Sequence, residues 1–184
     1  MERNNDFLPL QGKYEDLVVY KIARCLYAIT YYFANTYLDK GDRTIDQMVQ
    51  AARSGKQNIA EGSVDGSTSK EMEIKLMNVA RGSMHELKAD YEDYLMNRGL
   101  ARWDKDDDRT KQTRLYCRKH NEPEDYMDAI KQRSDETIAN IALTLLHQYD
   151  QMMVKLIERI KERFLAEGGI KEEMFRARKE RRGY

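Results

Sequence analysis

Proline is almost missing: Pro9 and Pro123 are the only two in 184 residues. Strand-like alternation bounded by turns is missing as well. With 35% of residues charged and apolar residues recurring at three- and four-residue steps, the chain is left to helix throughout. Cysteine is scarce, and Cys25 and Cys117 lie far apart in the sequence. That excludes a disulfide scaffold and fits a reducing interior. No apolar run approaches the roughly 18 residues that span a bilayer, and the opening MERNNDFLPLQG has no signal-peptide core. The expectation is a soluble, cytoplasmic protein with no membrane partner. Net charge is absent too, since Lys+Arg and Asp+Glu are 32 each, so no global field steers a charged ligand. There is no internal repeat and no low-complexity segment.

What is present is a chain of one-domain length, enough to bury ~70% of its unfolded surface. A first helix is predicted over residues 14–39, where Leu17, Ile22, Cys25 or Leu26, Ile29, Phe33 and Tyr37 make one buried stripe. Tyr20, Tyr27 and Tyr31 run beside it as a second strip, read either as a wide core face with phenol hydroxyls reaching water or as an oligomer interface. A second helix is predicted over residues 43–61. It carries Ile45, Met48, Ala52, Gly55 and Ile59 on one face, and Gly55 there suggests close approach of a neighbour. Thr68-Ser69-Lys70-Glu71 has capping-box spacing and opens a third helix, residues 68–98, with Met72, Leu76, Val79, Ser83, Leu87, Tyr91 and Tyr94 facing inward. A fourth, residues 135–167, buries Ile138, Ile141, Leu145, Tyr149, Met152, Leu156 and Ile160 and stops at Gly168-Gly169.

Four long amphipathic helices imply an all-α, antiparallel up-down four-helix bundle over residues 14–167, preceded by an N-terminal tail, residues 1–13. Two segments stand outside the bundle. Residues 100–133 form an insertion between the third and fourth helices: an acidic turn, a basic stretch (Arg109, Lys111, Arg114, Arg118, Lys119) and a short helix after Pro123. Residues 168–184 form a basic C-terminal helical suffix bearing Arg176, Arg178, Lys179, Arg181 and Arg182.

The block Asn58-Ile59-Ala60-Glu61-Gly62 invites a catalytic reading, because a carboxylate beside an amide can do acid–base work. No His, Cys or Ser nucleophile lies at helical spacing within it. A structural reading accounts for each residue. Asn58 would bond across a helix pair or to the connecting loop, Glu61 would bind free amides or a cation such as Arg53 or Arg81, and Gly62 would end the helix. Metal chemistry lacks its ligands. None of His85, His120 and His147 has Glu three positions before it, as a di-iron bundle needs. The acidic turn from Asp104 resembles an EF-hand opening but has Arg109 at its sixth position and Leu115 at its twelfth. Cys117-Arg-Lys-His120 is half a zinc site. No phosphate-cradling glycine loop appears, so neither metal nor cofactor is expected. One enzymatic alternative remains: Arg114 and His120 have the spacing of the metal-independent ribonucleases called HEPN domains, where His acts as acid–base group and Arg stabilises phosphorane-like charge.

Four blocks in order carry a resemblance: YEDLVVYKIA (residues 14–23), AARSGKQNIAEG (51–62), SKEM (69–72) and ARGSMHEL (80–87). Together they resemble the bacterial four-helix-bundle proteins first noticed as products of intervening sequences in 23S ribosomal RNA genes. FLAEGGIKEEMFRAR (164–178) is similar to the variant with a basic C-terminal suffix. The resemblance implies a homopentamer. It also implies a relationship to the accessory variability protein of diversity-generating retroelements, which binds a reverse transcriptase and nucleic acid through a basic surface. This chain departs from the plain family by a one-residue shift between Gly62 and Ala80 and by the insertion after Gly99.

The expectation is therefore a non-enzymatic, ring-forming adaptor for RNA or DNA. Its basic patches are 109–119, which has no acid from Arg109 to His120, and the suffix, each repeated around the ring. Tyr116 would stack on a base. The alternative is a scaffold that binds a reverse transcriptase or another neighbour-encoded protein without nucleic acid.

Overall fold

Apolar residues at helical spacing become seven α-helices, with no strand among the described residues. The computed structural model describes residues 14–65 and 69–182. The tail at residues 1–13, Thr68, and the side chains of Arg181 and Arg182 lie outside the described residues. After a single 3-10 turn at Tyr14–Asp16 come α1 (Val18–Tyr37), α2 (Arg43–Asp65), α3 (Lys70–Asn97), α4 (Asp108–Lys119), α5 (Glu124–Ile130), α6 (Asp135–Glu167) and α7 (Ile170–Arg182).

The helix ends follow their chemistry. Asp42 Oδ1 accepts the amide of Thr44 at 2.8 Å, and Ser134 Oγ that of Thr137 at 3.3 Å, each satisfying a free first-turn donor. Gly168, at φ 79°, closes α6 in a conformation that side-chain-bearing residues resist. The third long helix is capped by Ser69, whose Oγ accepts from Met72 N at 3.2 Å, so the N-cap falls one residue later than the capping-box spacing implied. The basic stretch at residues 109–119 is also helical: Asp107 caps α4 by accepting Arg109 N at 2.8 Å.

The four long helices pack pairwise, α2 along α3, α3 against α6, and α1 against both α2 and α6. Ile22, Leu26, Ile29, Phe33, Met48, Ile59, Met77, Met84, Leu87, Tyr91, Leu145 and Tyr149 make the centre of one contiguous core. Gly55 lies where a Cβ would come within 2.6 Å of Met84 Cε and 2.8 Å of its Cγ, so its lack of a side chain is what lets α3 seat there.

Gly62 differs from expectation. It lies inside α2 without positive φ, and a Cβ there would meet Leu76 Cβ at 3.1 Å and Met77 Cε at 3.3 Å. It serves close helix approach rather than termination, and α2 runs on to Asp65. The inward stripe of α3 also differs at its start. Met72 and Val79 are 40% and 44% exposed, and Met77, Ala80 and Met84 take the buried positions. The α2 glycines set which side of α3 faces in, and that side is offset from the one hydropathy selects. On α6, Met153 and Ile157 are buried while Met152 and Leu156 are only partly so.

Residues 100–133, expected to stand outside the long helices, are built into the core. Cys117, Tyr126 and Ile130 are buried with the core residues of the long helices. Lys21 Nζ and Arg24 Nη1 on α1 pair with Glu122 at 2.9 and 3.2 Å, and Tyr37 Oη donates to Arg133 O at 3.0 Å. No described helix is long and apolar enough to cross a membrane.

Candidate nucleic-acid interface

The cations of α4 divide by partner. Arg109 is held by Asp107, Nη2 to Oδ2 at 2.7 Å and Nε to Oδ1 at 3.1 Å, with its guanidinium 4.7 Å from the centre of the Trp103 ring. The guanidinium beside Asp107 holds that carboxyl below the usual range. Lys111 Nζ lies 3.5 Å from Asp108. Among the described residues Arg114, Arg118 and Lys119 make no ion pair. The run without acids thus holds two neutralised cations at its start and three free ones at its end.

Tyr116 is already occupied. His120 stacks on it at 3.8 Å and 9°, Tyr126 meets it edge-on at 5.7 Å, and its hydroxyl donates to Asp125 O at 2.7 Å. A base would have to displace His120 or use the other face. At 3.6 residues per turn, Arg114 and His120 sit roughly 120° apart around α4. Arg114 faces α6, lining a groove with His147, while His120 faces Tyr116 and α5. The helix therefore separates the two side chains that a HEPN-type site would need together.

The residues around Asn58 form a relay between helices. Asn58 Nδ2 donates to Ser54 O at 2.8 Å and to Ser54 Oγ at 3.2 Å, and Ser54 Oγ lies 3.0 Å from Ser83 Oγ on α3. Among the described residues Asn58 bonds within its own helix and reaches α3 only through Ser54. Ile59 is buried, and Ala60 half-buried. Glu61 is exposed and unpaired among the described residues. Arg81 is instead taken by Asp150 on α6, Nε to Oδ1 at 2.5 Å.

The tyrosine strip is graded along α1. Tyr20 is half-buried and edge-on to Tyr14 at 4.9 Å; Tyr27 is half-buried under the Lys56 ammonium at 4.5 Å; Tyr31 is 55% exposed. On the suffix, Arg176, Arg178 and Lys179 are exposed, as are the apolar Phe175 on the same helix and Leu165 near the end of α6.

The chain matches no family model, curated protein or solved structure among those compared. The geometry stands on its own.

Two positive residues outside the basic stretch join it in space. Arg102 and Lys105 line the same groove as Arg114, with His147 of α6. In the sequence they are masked by Asp104, Asp106, Asp107 and Asp108, which make residues 104–108 read as an acidic turn. Trp103 beside Arg102, with Lys105 two residues on, is the one local signal.

Proposed function

We propose that the chain is a non-enzymatic, homo-oligomeric adaptor that binds RNA or DNA in the cytoplasm. In this reading α1, α2, α3 and α6 are an antiparallel up-down four-helix bundle, with residues 100–133 inserted and α7 as the basic suffix. Copies join through Tyr20, Tyr27 and Tyr31 in a ring, a pentamer by the family resemblance. A reverse transcriptase or other neighbour-encoded enzyme would be the client.

The observation that carries the reading is the free charge at the end of α4. Arg114, Arg118 and Lys119 lack ion pairs among the described residues, in a chain where most other α4 charge is neutralised locally. Cations left unpaired keep their full attraction for phosphate, and repetition around a ring multiplies it. The test is anisotropy of labelled single- and double-stranded RNA and DNA at about 50 and about 200 mM salt, with the strands checked for cleavage. Binding that weakens at least ~10-fold with salt and leaves strands intact supports the reading. No binding at low salt overturns it. Cleavage lost in His120→Ala would instead favour the nuclease.

A second reading, a protein scaffold without nucleic acid, draws on the exposed Leu165, Phe175 and Tyr31. Reversing Arg114, Arg118, Arg178 and Arg181 to Glu should abolish nucleic-acid binding under the first reading and spare partner capture under the second.

A further inference from the structure

Thr110 and Arg114 are one turn apart on α4 and therefore share a face. That face looks across to His147 on α6, and residues 102–105 close the end. The three elements enclose a groove of about 270 Å³ lined by Arg102, Trp103, Lys105, Thr110, Arg114 and His147, with no carboxylate in its lining among the described residues. The volume falls just below that of pockets for drug-sized ligands and suits a small ion or one group of a larger ligand.

Three features make this a built site rather than a chance gathering of surface charge. The closing loop is fixed: Asn140, 3% exposed, accepts Trp103 N at 2.8 Å and donates to Ala101 O at 2.9 Å. Thr110 is 7% exposed, lines the groove, and its Oγ1 has no hydrogen-bond partner among the described residues. A buried hydroxyl without a partner is uncommon, and here it leaves one unspent donor just beneath the wall of a positive groove. Finally, Lys105 and Arg114 carry no ion pair among the described residues, whereas Arg102 is partly neutralised by Glu92 at 2.8 Å. Donors, like charges and a lining without carboxylates among the described residues together call for an anion with several acceptor oxygens.

We propose that this groove is a phosphate-binding subsite, in which Arg114 and Lys105 take the charge, Thr110 donates from beneath and Trp103 forms the wall. Its occupant is a backbone phosphate of the bound nucleic acid, so this assignment rests on the nucleic-acid reading. The arginine fork of Arg114 makes two N–H bonds to one phosphate; Lys105 adds a point charge. Arg118 and Lys119, outside the groove, contribute only the general attraction.

Trp103 is the single tryptophan of the chain, so its emission reports on the groove. The experiment uses the full chain in two titrations: inorganic pyrophosphate followed by Trp103 emission, and a labelled oligonucleotide followed by anisotropy. Each is run with Arg114→Gln, Lys105→Gln and Thr110→Val, with Arg118→Gln as the outside control and circular dichroism confirming folding. The expected result is a saturable change of emission with pyrophosphate. Arg114→Gln and Lys105→Gln should weaken it at least ~10-fold and weaken oligonucleotide binding more than Arg118→Gln does. Oligonucleotide binding that all variants share equally, with no pyrophosphate response, overturns the subsite and leaves the nucleic-acid reading standing. A pyrophosphate response dependent on Arg114, with no oligonucleotide binding, keeps the phosphate site, overturns its assignment to nucleic acid, and points to a smaller phosphorylated ligand. Neither response removes both.

Discussion

Asn140 holds Trp103 in place across the join between the α3–α4 loop and α6: its Oδ1 accepts the Trp103 amide at 2.8 Å, from a side chain 3% exposed. Its Nδ2 donates to Ala101 O at 2.9 Å and to Glu136 O at 2.8 Å, so a single buried amide side chain satisfies two groups of the loop and one of its own helix.

Replacing Asn140 by Leu keeps the volume and removes all three bonds. Leaving buried backbone groups unpaired costs ~1–3 kcal/mol each, and partial hydration of the freed loop returns some of that. The expected loss is about 2 kcal/mol by urea denaturation. Trp103 emission should shift to the red before global unfolding, since the loop is released first. An unshifted spectrum with unchanged stability would show that the loop is held by packing alone.

Two helical glycines should respond in opposite directions to alanine. At Gly82, exposed on α3, nothing lies within 4 Å of a Cβ, so Gly82→Ala should stabilise by about 1 kcal/mol through helix propensity. At Gly55 the same change drives a Cβ into Met84, which is buried and must move. Overpacking costs ~1–3 kcal/mol against that ~1 kcal/mol gain, for a net loss of up to about 2 kcal/mol. Thermal melts of the two variants compared with wild type decide the matter.

Acid should weaken the contact between α3 and α6. Arg81 hydrogen-bonds Asp150 from α3, and His85 Nε2 lies 2.7 Å from the same carboxylate. The Arg81 bond is the main cause holding the Asp150 carboxyl below its ordinary range, with partial burial opposing it. A carboxyl whose folded pKa is depressed contributes in full above its unfolded pKa of about 3.9 and loses that contribution as pH falls through the lower folded value. Asp150→Asn should therefore cost about 1 kcal/mol at neutral pH, the pair being partly exposed and screened. It should cost progressively less below about pH 4. A constant difference across that range would mean the carboxylate carries no net charge interaction.

Neither cysteine should react readily in the folded protein. Cys25 and Cys117 are buried and free, and burial pushes the Cys25 thiol up to about 12 and the Cys117 thiol up as well. Because the thiolate is the reactive form, labelling by an aromatic disulfide near pH 8 should run on the order of 100-fold slower than in urea. Fast labelling of Cys117 alone would mean that α4 opens locally away from α6.

Much of this architecture was legible in residue order. α6 spans residues 135–167 as its periodicity implied, and the stops at Gly99 and Gly168 follow from glycines placed to take positive φ. Gly55 was readable as a close approach, since a helical glycine away from any turn needs a packing reason. Gly62 was not: a glycine before a polar run reads as a helix stop, and only the neighbouring α3 shows that the residue is needed for contact. The α3 stripe failed for a related reason. Met72 and Val79 are apolar, yet the close approach at Gly55 and Gly62 rotates α3 so that Met77, Ala80 and Met84 fill the interface.

By itself the sequence determined that the chain would be helical, where its long helices lie, and which stretches carry surplus positive charge, because those properties depend on spacing along one chain. Tertiary structure alone decided which charges remain free. Lys21 and Arg24 met Glu122, Arg81 met Asp150, and Arg102, Lys105, Arg114 and His147 were gathered from a loop and two helices around Thr110, whose hydroxyl is unpaired among the described residues. Pairing and desolvation are set by distances of a few ångströms, and residues 102 and 147 have no such distance until the helices pack.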